Sequence, residues 1–154
     1  MLAISSRQKS LYVYHLHMGG PDADALEWRS VRSPRFAPRL EQAGVTHVYS
    51  PADADVVIIT GLLLARNLDA VLAELAMVPS PAVLVAAGDA AINGGLWARL
   101  DLPSLAPYPI GHYADVQVTV PGDPPTPQAL IAALAAASEI LSRPGDRLAA
   151  WQDD

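Results

Sequence analysis

The chain has 154 residues, 51% hydrophobic and only 17% charged, enough for one domain to bury a sizeable core and sparse enough in charge to suit a subunit covered by partners. Ten Lys+Arg against sixteen Asp+Glu give a net charge of −6, and the basic residues are scattered, so no stripe tracks a phosphate backbone and nucleic acid is not an expected partner. Cysteine is absent, which excludes disulfides, thiolate nucleophiles, zinc–sulfur sites and cysteine-ligated iron–sulfur clusters together.

Residues 1–10 read as an N-terminal extension. Their sequence MLAISSRQKS lacks a long apolar region ahead of a small-residue cleavage site, so secretion is not indicated and a cytoplasmic location is expected. The run Leu11 to Leu16 (LYVYHL) is rich in Tyr and Val and reads as a first strand, stopped by Gly19, Gly20 and Pro21. DADALEWRSV then predicts a short helix with Asp22 as its cap and Leu26 facing inward. Pro34 and Pro38 break up the next stretch, whose second half forms a helix closed by Gly44.

Val45 to Tyr49 and Val56 to Thr60 are two β-branched runs separated by the turn chemistry of SPADAD. DVVIIT and the later AVLVAA are continuously apolar, as parallel strands covered on both faces should be. Between them Leu64, Leu68, Val71, Leu72 and Leu75 recur at helical spacing, completing a strand–helix–strand unit. GDAAINGG and a Pro-rich irregular stretch lead to a last strand, Val116 to Val120. Thr126 then caps a helix written in Ala and Leu, the best helix formers. Residues 142–154 are polar and read as a mobile end or an extension onto a partner, leaving 11–141 as the domain.

This order predicts an α/β fold: a flavodoxin-like open sheet of four or five mostly parallel strands with helices on both faces. Chemistry in such sheets collects on the loops beyond the carboxyl ends of the strands. Here those loops are HMGGPDADALE, TGLLL, GDAAINGG and PGDPPTP. No apolar run reaches the roughly 18 residues of a membrane-spanning helix.

In this order the loops resemble those of the small subunit of nickel–iron hydrogenases and of its homologue in complex I, over roughly Leu11 to Leu141. VPGDPPTPQAL, residues 120–130, is similar to the family's Val-Pro-Gly-Cys-Pro-Pro-x-Pro signature, with Asp123 at the cysteine position. GDAAINGGLW is similar to the family's Gly-x-Cys-Ala-x-x-Gly-Gly loop, with Ala90 at the cysteine position. The two remaining family cysteines precede a Glu, and Glu27 fits, placing Asp24 at one and Pro21, or alternatively Ala23, at the other. The intervals, 66 positions from Asp24 to Ala90 and 33 from Ala90 to Asp123, also resemble the family's spacing.

The resemblance implies a small subunit that holds a four-iron cluster beside a quinone. All four of its ligand positions are substituted here, and two aspartates, an alanine and a proline do not replace four soft thiolates. The expectation is therefore a cluster-less, structural subunit with no cofactor and no activity of its own. Its implied partners are a large-subunit homologue and membrane antiporter-like subunits, which would hold it at the inner face of the cell membrane. A metal-ion or small-molecule module reusing the vacated pocket, and a regulatory or assembly factor, are the alternative expectations.

Asp24, Asp89 and Asp123 would converge on that pocket and could suit a hard cation or a shared proton, or simply line a wet or partner-facing loop. His15 and His17 form an H-x-H pair on one strand face, usable by zinc but equally by polar packing. No metal site is assigned to these five residues. His47 and His112 lie in no motif. Gly61, Gly88, Gly94 and Gly95 belong to no phosphate-binding fingerprint and read as turn residues.

Overall fold

A computed structural model describes residues 10–20 and 23–142. Pro21, Asp22 with its expected capping role, and the tail from 143 lie outside the described residues, as does the extension before Ser10. The elements are β1 (Leu11–His17), α1 (Ala23–Val31), α2 (Ala37–Gln42), β2 (Val45–His47), β3 (Val56–Thr60), α3 (Ala65–Leu75), β4 (Val83–Ala87), α4 (Asp89–Asn93), β5 (Val116–Val120) and α5 (Pro127–Ser142). The five strands form one parallel sheet in the order β2-β1-β3-β4-β5. The expected flavodoxin-like arrangement holds, since the order reverses between β1 and β3 and so opens a crevice at the carboxyl edge there.

The alternation of side chains along a strand explains why β3 reads as an unbroken apolar run. Val56 and Ile58 enter one core with Trp28 and Val31 of α1, Leu40 of α2 and Leu130, Ala133, Leu134 and Ala137 of α5. Val57 and Ile59 enter the other, with Val71 of α3, Ala91 of α4 and Ile110. All five residues of β3 are buried.

Three sequence expectations need correction or refinement. Leu26 does not face inward: it is 55% exposed, whereas Ala25, Trp28 and Val31 of the same helix are buried. These three recur at i, i+3 and i+6, so the stripe that meets the sheet passes one residue before Leu26. The second strand ends at His47, and Tyr49 beyond it is 82% exposed. GDAAINGG also contains a helical turn, α4, which ends at Gly94 with φ +85°. A Cβ there would lie 2.3 Å from Pro107 Cγ, so Gly94 serves both the left-handed turn and the close approach of the Pro-rich stretch. At the opposite end of the chain, Thr126 caps α5 as expected, its Oγ1 accepting from Ala129 N at 3.1 Å.

Candidate functional site at the carboxyl edge of the sheet

The loops after β1 and β3 continue the strand pairing beyond the sheet. Met18 N donates to Thr60 O and Leu62 N to Gly19 O, both at 2.8 Å. Between them Gly61 has φ +87°, and a Cβ there would stand 2.5 Å from Gly19 O. Asn67, in the first turn of α3, fastens both loops. Its Oδ1 accepts from Leu64 N at 2.7 Å and its Nδ2 donates to Leu62 O at 3.1 Å and to Met18 O. One amide thus caps the helix and ties two loops separated by more than forty residues.

The loops after β4 and β5 are joined by Asp89. Its backbone N donates to Gly122 O and its Oδ1 accepts from Gly122 N, each at 2.8 Å. Gly122 has φ +142° and its missing side chain would collide with Pro125 Cα at 2.6 Å, so the turn before the final helix has no room for another residue. Tyr108 N donates to Leu63 O at 2.8 Å and draws the Pro-rich stretch onto the same edge.

Ala90 is 8% exposed and packs with Leu62, Leu64 and the partly buried Trp97. Asp123 is exposed and shares with Asp89, Asn93, Gly95 and Arg99 an open cleft of about 410 Å³. The fold therefore brings Asp89 and Asp123 to one cleft and turns Ala90 into apolar company. Ala23 is the exposed first residue of α1; Asp24 follows it in the first turn, and the placement of its side chain lies outside what is described.

His15 and His17 share one face of β1, with ring centroids 6.3 Å apart. Both reach across to β3: His15 Nε2 lies 2.8 Å and His17 Nδ1 3.0 Å from Thr60 Oγ1. The His15 ring also meets Trp28, centroid to centroid at 6.2 Å. Burial, reinforced by His17, His47, Arg29 and Arg32, pushes the His15 imidazolium down to about 4. His47 is lowered too, by burial and then by Arg32. Among the described residues, no three His, Cys, Asp or Glu side chains are grouped so as to hold a metal ion.

Sequence reasoning passed over Thr60, Asn67 and Arg99. Thr60 was visible as the one hydroxyl ending an otherwise Val and Ile strand, and Asn67 as a polar residue at the third helical position, where helix ends take side-chain acceptors. Neither signal says what lies across the sheet.

Comparison with known proteins gives a consistent result. The chain is 27% identical over 135 residues to the probable membrane-bound hydrogenase subunit mbhJ of Pyrococcus furiosus, covering 88% of this chain and 78% of that one. It is 29% identical over 140 residues to formate hydrogenlyase subunit 7 of Escherichia coli, of which it spans 51%. Among solved structures, the membrane-bound sulfane sulfur reductase, an archaeal respiratory membrane complex, contains a chain that superposes with a TM-score of 0.70 at 25% identity, covering 88% of this chain and 72% of that one. A hydrogenase of the nickel–iron–selenium type from Dm. baculatum superposes with a TM-score of 0.67 at 15% identity and shares the fold. No helix among the described residues is long and apolar enough to cross a membrane. The model of the family described as NADH ubiquinone oxidoreductase, 20 Kd subunit, matches residues 18–137, and the chain belongs to that family.

Proposed function

We propose that this chain is a cluster-less, structural small subunit of a membrane-associated hydrogenase-like or complex I-like assembly, docking on a large-subunit homologue through the loops at the carboxyl edge of its sheet. The observation that carries this reading is the combination of retained loops with a changed donor set. The Asp89–Gly122 and Asn67 ties keep the loops in place. Yet Ala90, at a position where the family's resemblance implies a thiolate, packs against Leu62, Leu64 and Trp97. A chain without cysteine offers a four-iron cluster no thiolate, and one exposed carboxylate beside an apolar cluster is the wrong chemistry for it. The residues present do not fit the cluster, and no electron-transfer step is assigned to this chain.

What remains at that edge suits contact between proteins. Leu96, Leu100 and Leu102 are 60%, 42% and 47% exposed in the stretch after α4, and exposed apolar side chains of this size mark interaction surfaces when they occur together. The names of the relatives, a membrane-bound hydrogenase subunit and a formate hydrogenlyase subunit, support the kind of assembly. Antiporter-like membrane subunits would complete it, with this chain peripheral to the inner face of the membrane.

The test is co-expression with a large-subunit homologue from the same genome. The expected result is a co-purifying complex whose small subunit, prepared anaerobically, contains neither iron nor acid-labile sulfide. Leu96→Glu with Leu100→Glu should abolish co-purification while leaving the thermal midpoint of the isolated chain in place. A stoichiometric cluster, or a stable monomer indifferent to such partners, would overturn the proposal. The second reading, a ligand in the Asp89 and Asp123 cleft, draws support from the cleft's volume, but Arg99 on its wall disfavours a bare cation. Asp123→Asn would weaken that ligand and leave docking intact.

A further inference from the structure

Thr60 is completely buried, and two imidazole nitrogens reach its single hydroxyl. The parallel pairing of β1 with β3 produces this arrangement, setting His15 beside Ile58 and His17 beside Thr60 with both imidazoles on the same face. A hydroxyl has one proton to donate and lone pairs that accept. Both contacts become hydrogen bonds of a neutral trio when one imidazole donates its N–H to Oγ1 while Oγ1 donates to the bare nitrogen of the other. Two such arrangements exist, one the reverse of the other.

We propose that His15, Thr60 and His17 form a one-proton relay at the carboxyl edge of the sheet, in which the Thr60 hydroxyl passes a single proton between the two imidazoles. The step balances within the trio. With one proton added from solvent, the charged ring gives its N–H proton to Oγ1 as Oγ1 gives its own to the other ring. One N–H and one O–H break, one O–H and one N–H form, the hydroxyl is regenerated and the positive charge changes rings. A second added proton would turn both facing nitrogens into donors, leave the hydroxyl proton without its acceptor and set two cations side by side.

The surroundings hold this geometry and limit the charge. A Cβ on Gly61 would stand 2.9 Å from His17 Cε1 and 3.0 Å from its Nδ1, so the glycine's bare backbone is what lets the ring lie against Thr60. Trp28 packs on the His15 ring. The groups that act on His15 are His17 on its own strand, His47 of β2, Arg29 of α1 and Arg32 just beyond α1, and all of them disfavour a cation there. This inference does not depend on the subunit reading, because it concerns atoms inside one chain.

The experiment is NMR of labelled imidazole nitrogens in the full chain at about pH 8, above ordinary histidine ionisation. In the neutral protein one of the two facing nitrogens, His15 Nε2 or His17 Nδ1, should carry a proton and the other should not. Thr60→Val, close to Thr in shape, should abolish the opposed tautomers; Thr60→Ser should restore them. Facing nitrogens in the same protonation state in the unmodified chain would overturn the relay, and that reading requires no variant to fold. A Thr60→Val spectrum matching that of the unmodified chain would overturn it as well.

Discussion

Replacing Asn67 with Ala removes an acceptor from Leu64 N and two donated hydrogen bonds, to Leu62 O and Met18 O, without changing a strand or an apolar contact of the core. Each bond contributes about 1 kcal/mol net, and loss of the helix cap alone costs about 1 kcal/mol, so the three together should cost ~3 kcal/mol. For a chain of this size such a loss lowers the thermal midpoint by about 6–12 °C. The assay is urea denaturation of the purified variant with amide hydrogen exchange read in parallel. The midpoint should fall at constant slope, and exchange should accelerate first at residues 18–20 and 61–64, the two loops the amide connects. Asn67→Asp separates the roles: it keeps an acceptor for Leu64 N but sets a carboxylate against two carbonyl oxygens, so it should rescue the cap and not the loops. A loss below about 0.5 kcal/mol, within the range of an ordinary surface change, would refute the view that this side chain organises the edge.

Three further outcomes follow from the same geometry. His15, lowered to about 4 from an ordinary 6.5, is charged in the unfolded chain before it is charged in the folded one. Its contribution to stability is thus present above pH 6.5 and lost as pH falls through 4; on the order of 3 kcal/mol of pH dependence in that window should be missing from His15→Gln when the two denaturation series are subtracted. Gly61→Ala forces a side chain into a left-handed backbone facing Gly19 O and the His17 ring, and should destabilise by at least about 2 kcal/mol by calorimetry; a neutral result would mean that the two loops are not closely apposed. Asp89→Ala leaves Gly122 N without its acceptor and should cost about 1–3 kcal/mol, with faster exchange at Gly122 and no change in the β1 and β3 loops.

Much of the architecture was legible because it is written locally. DVVIIT and AVLVAA are too short and too uniformly apolar for anything but strands buried on both faces, and the Ala and Leu of α5 behind a Thr cap leave little choice of conformation. The two ligand-loop segments carried enough Gly and Pro at fixed positions to be matched to a family, and the family model covers residues 18–137. The inward face of α1 was misread because the helix is short: shifting the stripe by one residue exchanges Leu26 for Ala25 and Trp28, and only the opposing sheet decides between them.

Composition alone determined that no thiolate chemistry can come from this chain, whatever its fold, since a soft ligand that is not encoded cannot be supplied by geometry. Alternation along β1 likewise puts His15 and His17 on one face, whichever strands lie beside it. Tertiary structure decided what they meet. The parallel register of β1 and β3 delivers Thr60, 45 and 43 positions away, to both rings, just as it brings Asn67 to Met18 across 49. Folding also packs Ala90 with Trp97 and engages Asp89 with Gly122. Such contacts depend on which distant strands pair and in what register, a choice made by burying both faces of the whole sheet, so no local pattern around any one of these residues could have announced them.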